Sequence, residues 1–580
     1  MMGAVSGTLS RGLLISALGA LAAVAAAAAL VAWPRRARPQ PPQAPEATAG
    51  APKPAPPPSA ASVAELAALA PEGTTYLLAT GDLPALAAEL RAGAAGKIAG
   101  SPGAKRFLEV LGREPAGEFG RLYQALGLGL ALAELSDGPA CLVGWRSAAA
   151  GRPTRALAFR LRPGETGRGL GLAEAALGAA AGKVRDEPAG AGHLCRTAAA
   201  AGREGRAWGS AGGWLVIAES VAGCKELLDR ALRPAPAARR EELAKALAEA
   251  GAGRLVGYAE LREALGPEAC ALLGLESAGR LGYSAGAGRD GRWTERLVLG
   301  GKPAQAGGVP GGLAAGGERP VLAGLPDSAL GCLTFSVADG AKLWPELLKA
   351  VAPADPEGLL EAVAAQLAGA GGKDFATEVA PAFRGEVTVG WLLQRQALYP
   401  QVLVGAALAP GSARALGGGA DAALELFGRG GTVASADYAG VRLAWLRGHS
   451  PVDPSCPAPS YAFQGERLLA ASSTVPLKEF LAGRGARWLS AEEARRLGAG
   501  FLGARLDLKA AMPFIAAAAA GLRERLPAGA AGALPGPEEL AGPLGAVELV
   551  AGRSDRGLWL EVRGPLPLVS AVAAAGLAWE

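Results

Sequence analysis

The chain has 580 residues, 50% of them hydrophobic and 19% charged, so it can bury large cores and is not a disordered polyelectrolyte. A net charge of +5, with acids and bases interspersed, is too weak and diffuse to imply a nucleic-acid partner, which needs a clustered basic face, and none is expected. Two histidines and six cysteines without a C-x-x-C spacing give no support to imidazole catalysis, a zinc site or an iron–sulfur cluster, so neither cofactor nor metal is expected.

A short basic head, residues 1–12, precedes Leu13–Trp33, a run of 21 residues without a charge. About 20 apolar residues span the hydrocarbon core of a bilayer, and this run exceeds the usual apolar core of a signal peptide. It is therefore expected to be an uncleaved transmembrane anchor, with a cleavable signal peptide as the alternative. Arg35, Arg36 and Arg38 lie just past the span and favour a cytoplasmic body by the positive-inside rule. A short basic head before an N-terminal span favours export of the downstream chain, and a periplasmic or extracellular body is the expectation adopted. Residues 34–62 are rich in Pro and Ala; their prolines remove backbone donors and favour extended polyproline II, a semi-rigid stalk.

The remainder reads as one pattern written twice, residues 63–300 and 325–580, joined by a Gly/Pro-rich linker over 301–324. Pro71–Leu90 and Leu325–Leu348 each read strand, Asp, helix, with Asp82 and Asp339 at the N-cap position. Asp137–Trp145 (DGPACLVGW) and Phe383–Trp391 (FRGEVTVGW) are β-rich runs ending alike. Thr154–Leu161 and Gln401–Ala409 are further strands, succeeded by Ala-rich helices near 170–182 and 413–427 and by two polar β-arms. Gly212–Leu232 (GGWLVIAESVAGCKELLDRAL) and Gln464–Gly483 (QGERLLAASSTVPLKEFLAG) each read strand, Ser turn, amphipathic helix. Leu255–Leu265 matches Leu502–Met512, and the hairpins Leu281–Leu299 and Gly545–Gly564 close each copy, with Trp293 and Glu295 opposite Trp559 and Glu561. A period of roughly 250 residues is too long for a solenoid. The expected architecture is α+β: a tandem duplication of a mainly antiparallel sheet with packed helices.

Candidate chemistry can be tested between copies. Gly282–Gly286 (GYSAG) fits the nucleophile elbow, which needs its Ser on a strand-to-helix turn together with a His and an acid. Here a Gly-rich turn and a strand come next, Ser284 matches Val550, and the downstream histidine is His449. Gly286–Gly291 (GAGRDG) lacks the helix that a dinucleotide would need, and reads as a hairpin turn. Gly178–Lys183 and Gly93–Lys97 lack the phosphate-loop spacing and a Ser or Thr after Lys. His193 faces Val441 and reads as a strand residue; His449, Asp453 and Cys456 lie in a Pro-rich loop. Cys141, Cys195, Cys224 and Cys270 match Val387, Leu443, Leu477 and Ala517, which makes them packing thiols. The tryptophans Trp145, Trp391, Trp293 and Trp559 read as core. Lys225-Glu226 and Lys478-Glu479 read as solvated pairs, to be tested for a shared surface role.

The opening PEGTTYLLATGDLPAL, the SPGAKRFLEVLG of Ser101–Gly112 and the strand–helix LVIAESVAGCKELLDRAL resemble the domain-of-unknown-function 3352 family of bacterial membrane-anchored proteins. The resemblance covers about Pro71 to Gly564 and carries over no catalytic residue. It implies an envelope-anchored, non-enzymatic body. The expected function is a non-catalytic binding or scaffolding module, held to the membrane by its N-terminal helix and engaging a protein partner of unspecified kind. The alternatives are a serine hydrolase using Ser284 with His449, and a cytoplasm-facing tethered interaction protein.

Overall fold

The structure is a computed structural model. It describes residues 66–113, 128, 131–147, 152–178, 184–188, 194–198, 206–233, 253–260, 279–288, 290–300, 308–351, 358–393, 400–427, 432–447, 459–483, 488–513, 535–554 and 557–567. The anchor at 13–33 and the stalk lie outside these. No helix among the described residues is long and apolar enough to cross a membrane.

The first half contributes β1 (Thr74–Thr80), β2 (Ser136–Ser147), β3 (Arg152–Leu161), β4 (Val184–Pro188), β5 (Leu194–Ala198), β6 (Arg206–Ala211), β7 (Trp214–Ala218), β8 (Leu255–Glu260), β9 (Arg280–Ala287) and β10 (Trp293–Gly300). The second contributes β11 (Ala329–Val337), β12 (Phe383–Leu392), β13 (Gln401–Leu408), β14 (Val433–Tyr438), β15 (Val441–Leu446), β16 (Ser460–Phe463), β17 (Arg467–Ala471), β18 (Leu502–Asp507), β19 (Ala546–Ser554) and β20 (Gly557–Gly564). Every pairing among these strands is antiparallel. In space the first half runs β4-β5-β6-β7-β3-β2-β1-β8-β9-β10. The second runs β14-β15-β16-β17-β13-β12-β11-β18-β19-β20, the same order. The fold is thus α+β, with a large antiparallel sheet and packed helices.

β10 and β20 pair antiparallel and join the halves into one twenty-stranded sheet. Trp293 lies opposite Gly564, and Val298 opposite Trp559. The shift that carries Trp293 onto Trp559 also carries Val298 onto Gly564, so the ladder has a local two-fold axis. Further contacts cross the junction. Ala94, Ala95 and Ile98 pack with Met512, Leu544 and Leu566, and the Gly103 amide donates to Glu539 at 2.9 Å.

Burial on both faces explains why the strands alternate poorly. On β7, Trp214, Val216 and Ala218 enter the core under the helix Val221–Leu232. Leu215 and Ile217 point the other way, to Ala173 and Leu177 of the helix Thr166–Gly178. β17 repeats this: Leu469 and Ala471 share a cluster with Leu477 of the helix Thr474–Ala482, while Leu468 and Ala470 pack near Leu424 of the helix Ser412–Phe427. A strand covered on both sides needs apolar residues at both parities.

The local signals act as cap chemistry predicts. Asp82 accepts from the Ala85 amide at 2.9 Å, and Asp339 from the Ala341 amide at 3.1 Å. Ser220 and Ser473 cap the two strand–turn–helix units. Gly552 sits beneath Trp559, whose ring would lie 2.3 Å from an added Cβ, so only glycine leaves room there. One stretch differs from its reading as a linker. Within 301–324, Val321 and Leu322 are buried in the second core, and the Ala314 amide donates to the Ser336 carbonyl. The Glu386 carboxylate accepts from the Val321 and Leu322 amides at 2.9 and 2.8 Å, capping the turn Pro320–Ala323. Pro320 and Gly324 bound a packed turn there, not a free spacer.

Candidate functional site

Ser284 lies within β9, buried, between β8 and β10, with Val256 and Arg296 opposite it. It is not on a strand-to-helix turn. Gly286–Gly291 forms the β9–β10 hairpin, where the Gly288 amide donates to the Arg292 carbonyl. His193, His449, Asp453, Cys270 and Cys456 lie outside the described residues, as does most of Gly178–Lys183. Gly93–Lys97 is the junction of two helices, Leu83–Ala92 and Ala94–Ala99. Among the described residues no group of three His, Cys, Asp or Glu could hold a metal.

The tryptophans divide. Trp145 and Trp293 are core at 1% exposure, whereas Trp391 is 37% exposed. A buried indole N–H needs an acceptor, and Trp145 finds it in Glu226 at 2.9 Å. This corrects the solvated reading of the Lys-Glu pairs. Glu226 serves the core, and Lys225 approaches Glu187 at 3.8 Å. In the second half Glu479 accepts from the Ser328 hydroxyl at 3.3 Å, and Lys478 sits over the Tyr438 ring at 5.8 Å. Cys141, Cys195, Cys224 and Cys332 are buried free thiols. Burial pushes Cys141 and Cys332 up to about 12, so neither is a ready nucleophile.

Two charged constellations stand out. The first is a cleft of about 440 Å3 between the helix Leu83–Ala92, residues 133–135 and the segment 162–168. Three guanidiniums and two carboxylates line it. Arg91 approaches Glu134 at 3.8 Å, and Arg168 meets Glu165 at 3.1 Å. Arg162 donates from its guanidinium to the Glu134 carbonyl and from its amide to the Leu135 carbonyl. Both ion pairs are solvent-exposed and weak; with three guanidiniums and two carboxylates the cleft carries one net positive charge, at the start of the helix Thr166–Gly178. No lining side chain is a hydroxyl, thiol or imidazole. The arrangement can hold an anionic group by charge. Its residues are scattered from 84 to 168, so no local motif marks them.

The second constellation is buried and crosses the junction. Glu548 on β19 is 1% exposed. It accepts from Arg496 at 2.5 and 3.0 Å and from Arg505 at 3.2 Å, and Arg292 of the first half approaches it at 3.5 Å. Arg292 also donates to the Ala546 carbonyl at 2.9 Å. Arg505 continues to Glu493 at 2.5 Å and stacks over Trp488. Burial alone would raise the Glu493 carboxyl, but hydrogen bonds from Arg505 and Ser490 hold it down at about 2. This cluster fixes one half against the other and is closed to a ligand.

Comparison with family models, with curated proteins and with solved structures returns no match for this chain.

Proposed function

We propose that the chain is a membrane-tethered envelope protein whose body, two copies of one α+β domain, is a non-catalytic scaffold or binding module facing the periplasm or the exterior. The observation that carries this reading is the β10–β20 ladder, which with Arg292–Glu548 makes one stiff platform of both halves. The uncharged run Leu13–Trp33, the Pro-rich stalk and the family resemblance support the tether. The cleft at Arg91, Arg162 and Arg168 is the surface we assign to an anionic group of the partner.

Fractionation tests the tether. The full chain should stay with membranes at high salt, and a variant lacking residues 1–33 should be soluble. Protease should degrade the body in spheroplasts; protection there overturns the exported placement and leaves the cytoplasm-facing arrangement. Labelling by a fluorophosphonate that disappears in Ser284→Ala would replace the scaffold reading with a hydrolase.

A further inference from the structure

The two halves treat one loop differently. In the second half the loop after β13 enters the helix Ser412–Phe427, and the Glu466 carboxylate closes its first turn. Oε1 accepts from the Gly411 amide at 2.8 Å, and Oε2 from the Ala413 amide at 3.0 Å. The first amides of a helix have no acceptor within the helix, and the helix dipole favours a negative group there.

The first half builds the same loop without that carboxylate. The Leu408 amide donates to the Glu466 carbonyl and the Leu161 amide to the Gly213 carbonyl, each at 2.9 Å, so Gly213 stands where Glu466 does. Gly411 and Gly164 hold φ of 80° and 86°, which sets Gly164 opposite Gly411 and Thr166 opposite Ala413. Among the described residues the Gly164 and Thr166 amides have no acceptor. The neighbouring carboxylate, Glu165, turns to Arg168 at 3.1 Å instead. A Cβ added at Gly164 would meet nothing within 4 Å, so the place is open. Arg160 brings its guanidinium carbon to 3.6 Å from the Cβ that Gly213 lacks, where the second half has Ala407.

This loop, 162–168, is one wall of the arginine-lined cleft. The facing wall differs in the same sense. Ala87 and Trp344 lie equally far past the caps Asp82 and Asp339; Ala87 lines the cleft, whereas Trp344 packs on Phe375 at 4.4 Å. The second half supplies its own carboxylate and its own aromatic contact, and the first half supplies neither. We propose that the first half takes its carboxylate from outside, as an acidic side chain or C-terminus of a protein partner. This rests on the anionic assignment of the cleft and names the anion. The Gly164 and Thr166 amides take one oxygen each, as Gly411 and Ala413 do with Glu466, and Arg91, Arg162 and Arg168 draw the group in.

The test uses the full chain in detergent, isotope-labelled at the proline carbonyl carbon and the glycine nitrogen. A carbonyl-filtered magnetic-resonance spectrum then shows only the amides of Gly103, Gly164, Gly311, Gly411 and Gly536, each of which follows a proline. Pro163→Ala and Pro410→Ala identify Gly164 and Gly411 by loss of their signals. Acetate at constant ionic strength should shift Gly164 saturably. It should leave in place Gly411, held by Glu466, and Gly103, held by Glu539. Arg91→Gln with Arg162→Gln keeps the Arg168–Glu165 pair and should weaken acetate several-fold; unchanged affinity overturns the proposal. In Glu466→Gly the Gly411 amide should respond to acetate as Gly164 does, and its silence also overturns it. Inorganic phosphate separates the two readings. A Gly164 shift with phosphate but not acetate refutes the carboxylate and leaves the anionic cleft standing; no shift with either refutes both. A capped acidic peptide should bind more tightly than acetate at equal carboxylate concentration, and weaker binding refutes the protein source.

Discussion

Removing the Glu548 carboxylate tests how far the junction depends on buried charge. In Glu548→Ala, three guanidiniums lose their common acceptor. Arg505 keeps Glu493 at 2.5 Å, and Arg292 keeps the Ala546 carbonyl at 2.9 Å. Breaking a buried pair from one side costs about 3–5 kcal/mol, because a desolvated charge is left behind. Arg496 and Arg292 are 24% and 32% exposed and can turn to water, which places the expected loss near the lower end, about 3 kcal/mol. The measurement is the urea midpoint of the variant lacking residues 1–33, converted through the slope of the transition. Arg292→Ala, alone and combined with Glu548→Ala, completes a double-mutant cycle. A coupling of at least about 0.5 kcal/mol is expected for groups sharing one network. A loss below about 1 kcal/mol for Glu548→Ala, or strict additivity, would refute the reasoning, since a carboxylate with four contacts cannot be lost at surface cost.

Other expectations rest on single contacts. Val298→Pro removes a ladder bond whichever way its amide points, because β10 is paired on both sides; calorimetry should then resolve two transitions where the wild type shows more coincident ones. Glu493 has a depressed folded pKa, so its stabilisation is present above the unfolded carboxyl pKa and lost as pH falls toward about 2; stability of Glu493→Gln should fall less than wild type below about pH 4.3. Glu226→Leu leaves the Trp145 indole without its acceptor and should cost about 1–3 kcal/mol in thermal or urea unfolding, with Glu226→Gln costing less because the amide oxygen still accepts.

Local patterning made the strands and helices of each half legible. Ser220, Ser473, Asp82 and Asp339 announce helix starts, and each does so through bonds spanning two or three residues. The non-local features were not legible in this way. Nothing near Trp293 or Trp559 says that β10 pairs with β20, because that ladder joins residues more than 250 positions apart and depends on which strands are left with free edges. The Glu226–Trp145 bond was missed for the same reason: periodicity placed Glu226 on a polar helix face, and only the packed structure shows an indole reaching it. Gly and Pro suggested a spacer over 301–324, yet Val321 and Leu322 pack into the core because Glu386, far along the chain, satisfies their amides. The cleft was illegible as a site, since Arg91 and Arg168 converge only through the fold.

The two-fold ladder at β10 and β20 has a consequence for how the halves can change. An assembly of two separate identical subunits must accept every substitution twice, once on each side of its axis. In one continuous chain each position is inherited alone. A leucine contact can survive at Leu443 and Leu477 while its mirror becomes Cys195 and Cys224, and Tyr283 can bind the buried Glu295 at 2.6 Å while Leu549 stands at the matching place. A single chain keeps the geometry of a dimer and releases each half to specialise, one toward buried thiols and a buried Tyr–Glu bond and the other toward an apolar fill.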